Sequence, residues 1–211
     1  PPHPAKRGAF LFRKMSADGP KAQAAVSGTG PRGYLLGRDF RAAYAPGVTQ
    51  DGSGQVVGLA QFDGYYTNDV LAYQNLAGLP NVPVTNVLVN GFSGRPGAGN
   101  AEVSLDLEMV ISMAPGLEKV IVYQAAPSSN PYDLLNWMAN DTNSLGQPAA
   151  RQLSSSWIWS GYPTAAENQI FQQFAAQGQS FFQATGDDGA YSSACPPASP
   201  TSNPYLTAVG G

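Results

Sequence analysis

Gln55-Val-Val-Gly-Leu-Ala-Gln-Phe62 reads as a short buried strand, and Thr67 to Leu76 follows it as a helix capped by Thr67 or Asn68. From here the same alternation runs on. Strand-like segments cover Thr85 to Val89, Lys119 to Gln124, Arg151 to Trp157, Ser180 to Thr185 and Tyr205 to Val209. Between them, Ala101 to Met113, Tyr132 to Ala139 and Thr164 to Gln177 have helical patterning. Strand and helix alternating at this spacing predict an α/β fold, a doubly wound, mainly parallel sheet with helices on both faces. Sheets of this kind carry their sites in the loops at the carboxyl ends of the strands. Three segments fall there: Gln61 to Tyr65, Ser154 to Trp157 and Thr185 to Gly189.

Upstream of the alternation the chain has another character. Residues 1–33 are rich in Pro, Gly, Ala and Lys, lack sustained periodicity and end in Ser27-Gly-Thr-Gly-Pro-Arg-Gly33, so they read as a linker before a domain covering 34–211. Charge divides in nearly the same place, with +6 over residues 1–41 and −9 over residues 42–211, together the formal −3 of the chain. A basic arm could serve nucleic acid, but this one lacks interleaved aromatics and is attached to an acidic body that repels phosphate. Only 12% of residues are charged, and a body with few ionisable groups gains little repulsion when its carboxylates protonate, which suits an acidic or extracellular setting. No run of eighteen or more apolar residues predicts a membrane span. The single Cys195 excludes an internal disulfide framework and a cysteine-based metal cluster.

Two carboxylates carry the chemistry. Glu102 and Asp106 stand four residues apart in Ala101-Glu-Val-Ser-Leu-Asp-Leu-Glu-Met109, on one face of a helix, where like charges usually cost a few tenths of a kcal/mol, about 0.2–0.5. An acid-tuned site is one reason to keep them together. Asn100 as N-cap would place Glu102 in the first turn, where the helix dipole favours an acid, and that structural reading stands beside the catalytic one. The one histidine, His3, lies in the Pro-rich leader, so any proton-accepting role in the body falls to carboxylates. Phe181-Phe-Gln-Ala-Thr-Gly-Asp-Asp-Gly-Ala190 runs a buried strand into two further acids, a pattern shared with tight turns. Leu153-Ser-Ser-Ser-Trp-Ile-Trp159 ends another strand with hydroxyls and large aromatics, suited to pairing with an extended peptide or equally to a half-buried edge strand. Gly28-Thr-Gly-Pro-Arg-Gly33 matches a dinucleotide fingerprint by letter only, since no strand precedes it and Pro31 interrupts it.

Together these segments resemble the sedolisin family, serine-carboxyl peptidases with a subtilisin-like fold, over nearly the whole chain after the linker. Gly37-Arg-Asp-Phe-Arg-Ala-Ala-Tyr44 is similar to the opening of the mature catalytic domain, and the residues before it to the tail of an activation pro-segment. Glu102-Val-Ser-Leu-Asp106 matches the Glu-x-x-x-Asp helix, Ser154-Ser-Ser-Trp157 the substrate-binding strand and Gly186-Asp-Asp-Gly189 the Gly-Asp-x-Gly loop. The resemblance implies Glu102 as general base, Asp106 as its polarising partner and Asp187 as a donor to the oxyanion. Ser154, Ser155, Ser156 and Trp157 would bind substrate. Gln61 stands where some relatives carry an outer glutamate, and Ile158 where glycine is usual. The family's nucleophile loop and calcium-binding loop are expected beyond Gly211, so neither the serine nor ligands for the implied Ca2+ are expected in this chain. The expectation is a secreted, acid-acting serine endopeptidase made as a zymogen. Its partners would be polypeptide substrate, its own pro-segment and a C-terminal part. The alternative is a catalytically silent fragment that keeps a peptide-binding surface.

Overall fold

The computed structural model of the chain describes residues 3–4, 27–159, 164–187 and 200–210. Most of the leader, together with Asp188, Gly189, Ala190 and Cys195, lies outside the described residues. Strands β1 (His3–Pro4), β2 (Val56–Gln61), β3 (Val84–Leu88), β4 (Lys119–Gln124), β5 (Gln152–Ser155), β6 (Trp157–Ile158), β7 (Ser180–Ala184) and β8 (Thr207–Val209) are interleaved with five helices. These are α1 (Gly37–Tyr44), α2 (Thr67–Ala77), α3 (Asn100–Met113), α4 (Pro131–Asn140) and α5 (Ala165–Ala176). Six strands form one parallel sheet in the order β3-β4-β2-β5-β7-β8, and β1 pairs antiparallel with β6. The expected α/β sheet, parallel and doubly wound, is the fold observed.

The near-continuous apolar runs of β2 and β4 are those of strands covered on both faces. Helices α1, α2 and α3 pack together, and α4 packs on α5. Two adjacent register pairs show that the groups lie on opposite faces. Gln61, opposite Gln124, bonds to Asp106 of α3, whereas Tyr123, opposite Ala60, donates its hydroxyl to Asp141 at the end of α4. Successive strand residues point to opposite faces, so the two bonds leave the sheet on different sides. The core between the layers includes Leu59, Phe62, Leu107, Ile111 and Val122, and a second aromatic group of Phe171, Phe174 and Phe181 seats α5 on β7. Each large side chain of this kind contributes roughly 1.5–3 kcal/mol when fully buried.

Local chemistry sets the element ends. Asn130 accepts the N–H of Tyr132 with Pro131 opening α4, Thr164 accepts the N–H of Glu167 at the start of α5, and Gly78 ends α2 with φ 64°. Three sequence expectations need correction. Tyr66, rather than Thr67 or Asn68, is the N-cap residue of α2. Likewise Gly99 rather than Asn100 is the N-cap residue of α3, and Asn100 is the first helical residue. The single strand expected over Arg151 to Trp157 divides at Ser156 into β5, which pairs with β2 and β7, and β6, which pairs with β1, and Ser155 Oγ accepts the N–H of Trp157 at 3.2 Å across the break. Helix α1 had no periodic signal. Its start is capped locally, Asp39 Oδ2 accepting the N–H groups of Leu36 and Thr29, and Arg41 ties it to the carbonyls of Val48, Gln50 and the distant Met113. A Cβ at Gly37 would stand 1.8 Å from Ser112 Oγ, so only glycine lets α1 approach α3 this closely.

Candidate active site

The carboxyl edge of the sheet brings four of the expected residues into one hydrogen-bonded chain. Asp106 projects from α3 and accepts from Gln61 Nε2 on Oδ2 and from Ser156 Oγ on Oδ1, both at 2.6 Å. Gln61 Oε1 in turn accepts the indole N–H of Trp157 at 2.6 Å. Gln61 ends β2 and Ser156 follows β5, its neighbour in the sheet, so sheet register places the two donors on either side of one helical carboxyl. Burial pushes Asp106 up from 3.8 to about 6, while the bonds from Ser156 and Gln61 pull it down. Glu102 lies half-buried in the first turn of α3, one helical turn before Asp106, with its own N–H bonded to Gly99 O at 3.0 Å.

Further along α3, Glu108 is pushed up from 4.5 to about 7 by burial and by the charge of Asp69. A carboxyl raised in the fold contributes stability that is complete below its unfolded value and is lost as pH rises through its folded value. For Asp106 and Glu108 that window runs from near pH 4 to near pH 7. We therefore expect the urea midpoint of this chain to be higher at pH 4.5 than at pH 7.5, with Asp106→Asn flattening the difference. A midpoint equal or higher at pH 7.5 would contradict these burials.

The other expected residues fall as follows. Asp187 is exposed three residues past β7, two strands over from β2, and is absent from the bonds around Asp106. Ser154 and Ser156 are half-buried and line a groove of about 460 Å³ with Met109, Val110 and Met113 of α3. Ser155 is 2% exposed with its hydroxyl engaged by Trp157, and Trp157 is 1% exposed with its indole directed at Gln61. The hydroxyl of Ser155 and the ring of Trp157 are thus buried, and the adjacent Ser156 and Trp157 both reach the Gln61–Asp106 pair. Sequence reasoning overlooked Asp63, whose buried carboxylate accepts three main-chain N–H groups ahead of α3. Its only signal was Asp63-Gly64 at a strand exit beside the glycine-rich run before the helix, which reads as ordinary turn chemistry.

Over 193 residues, 82% of this chain, the sequence is 32% identical to kumamolisin of Bacillus sp. (strain MN-32), and over 230 aligned positions, 92% of the chain, it is 26% identical to xanthomonalisin of Xanthomonas sp. (strain T-22). The chain belongs to the sedolisin family. No family model matches it. The fold agrees with a solved Pseudomonas sedolisin, a serine-carboxyl proteinase, at a TM-score of 0.68 over 83% of this chain and 53% of that one, with 21% identity. This sedolisin chain spans 33% of the length of kumamolisin and 27% of that of xanthomonalisin. Among its described residues no three His, Cys, Asp or Glu side chains come together to hold a metal ion. Among the same residues no helix is long and apolar enough to cross a membrane.

Proposed function

We propose that the full-length protein is a secreted, acid-acting serine endopeptidase in which Glu102 takes the proton of a serine supplied by sequence outside this chain. The observation that carries this is the Asp106 carboxyl, pushed up to about 6 and gripped by Gln61 and Ser156 one turn from Glu102. A carboxylate near its ordinary pKa is a weak base, and a buried second acid that can share a proton raises an apparent pKa of the pair. Asp106 would hold and polarise Glu102, which returns the proton to the leaving amine as the peptide C–N bond breaks. Asp187, when protonated, would donate to the developing oxyanion.

Ser154 to Trp157 would present the substrate-binding strand, with Ser154 and Ser156 turned to the groove. In support, Trp157–Ile158 already accepts an antiparallel partner, the chain's own His3–Pro4, which is how an extended peptide adds to a strand. That pairing also suits residues 1–33 as the tail of an inhibitory pro-segment. The test is to assay purified full-length protein on a polypeptide across pH 3 to 9, with and without a histidine-modifying reagent. Activity with an acidic maximum and no sensitivity to the reagent is expected, with none from residues 1–211 alone. A maximum above pH 8, or no cleavage at any pH with retained peptide binding, would place the peptide-binding module in front.

A further inference from the structure

Asp63 leaves β2 two residues after Gln61 and is 2% exposed. Buried acids are kept only where their oxygens are satisfied, and here main-chain amides satisfy them. Oδ1 accepts the N–H of Gly64 at 2.7 Å and of Gly97 at 2.8 Å, and Oδ2 accepts the N–H of Gly99 at 2.6 Å. The two remote glycines are the entry to α3. The carbonyl of Gly99 accepts the N–H of Glu102 at 3.0 Å and of Val103 at 3.4 Å, and the carbonyl of Gly97 accepts the N–H of Asn100 at 3.3 Å. The path from Asp63 Oδ2 through Gly99 to the amide of Glu102 therefore runs through main chain alone, with no side-chain rotor between. At its other end, Asp63 is two residues from Gln61, which bonds Asp106 directly.

Space around the clamp is closed. A Cβ at Gly97 would lie 2.9 Å from Asp63 Oδ2 and 3.0 Å from Oδ1. One at Gly99 would lie 2.6 Å from Trp157 Cη2 and 3.1 Å from Asp63 Oδ2. Trp157, already the donor to Gln61, thus also backs the start of α3.

We propose that Asp63, acting through the amides of Gly97 and Gly99, sets the position of Glu102 relative to the Gln61–Asp106 pair and is a positioning residue of this site. The proposal rests on the peptidase reading of Glu102. Asp63→Asn nearly preserves shape but replaces one acceptor oxygen with an NH2 group, so Gly99 on one side, or Gly64 and Gly97 on the other, faces a donor and moves away. A displacement of about 1 Å at a reacting group lowers turnover by ~10²-fold.

The experiment compares Asp63→Asn and Glu102→Gln in the full-length protein by kcat, KM, pH–rate profile and thermal midpoint. Asp63→Asn is expected to lower kcat by ~10²-fold with KM within about threefold, and to move the acidic midpoint of the profile. A merely structural role would lower the thermal midpoint and leave kcat per folded molecule and the profile alone, and that result would overturn the proposal. If Asp63→Asn is not recovered folded, Gly97→Ala keeps the carboxylate and crowds it, and the same readouts decide in the same way. Loss of turnover in Glu102→Gln with an unaffected Asp63→Asn removes the positioning role alone. Retained turnover in Glu102→Gln removes the base assignment and the proposal with it.

Discussion

Glu102→Gln in the full-length protein is expected to lower turnover by about 10²–10⁴-fold, the range for losing a general base, with peptide affinity nearly unchanged. The substitution keeps size and shape, so a peptide should still dock, but an amide cannot take the serine proton. Gln61 and Ser156 both donate to Asp106, so these two bonds should keep much of the site assembled. Single-turnover rates together with binding of an uncleaved peptide separate the two effects. Equal losses in kcat and in kcat/KM, at constant affinity, mark an interaction made in the transition state. Near-normal turnover would remove the carboxylate-base mechanism.

Trp157→Ala is expected to destabilise this chain by about 3–5 kcal/mol, the usual range for removing a large aromatic from a core. The ring is 1% exposed, meets Phe62 edge-on at 5.8 Å between centroids and abuts Gly99. It also donates the 2.6 Å bond to Gln61. Trp157→Phe separates these roles by keeping much of the volume while leaving Gln61 Oε1 without its donor, at ~1–3 kcal/mol. Urea unfolding measures both. If Trp157→Phe were as stable as the parent protein, the indole would be packing only, and the chain of bonds reaching Asp106 would lose its outer member.

Glu102 and Asp106 could be read from the sequence as a pair because a separation of four on a helix depends on local geometry alone. The strands at Gln55 to Phe62 and Lys119 to Gln124 were legible for a similar reason, since a covered parallel strand must be apolar along its length. Gln61 could be named as an outer residue, but its partners could not, as Trp157 and Asp106 stand 96 and 45 residues away. The burial of Trp157 was likewise hidden, because its indole is held by Gln61 and its ring packs on Phe62, both far away in sequence.

By itself, then, the sequence determined the alternation of strands and helices after residue 55, the parallel sheet they must form and the shared face of Glu102 and Asp106, all of which follow from periodicity and short-range sterics. Tertiary structure alone decided the strand order β3-β4-β2-β5-β7-β8, the approach of α1 over Gly37, and the clamp of Asp63 on Gly97 and Gly99. It also decided the acid–base character of Asp106, since an Asp beside water titrates near 3.8 and this one is carried to about 6 by burial. Burial is made by residues from β2, α3 and the residue between β5 and β6 meeting at the carboxyl edge of the sheet, and no window of sequence contains all three.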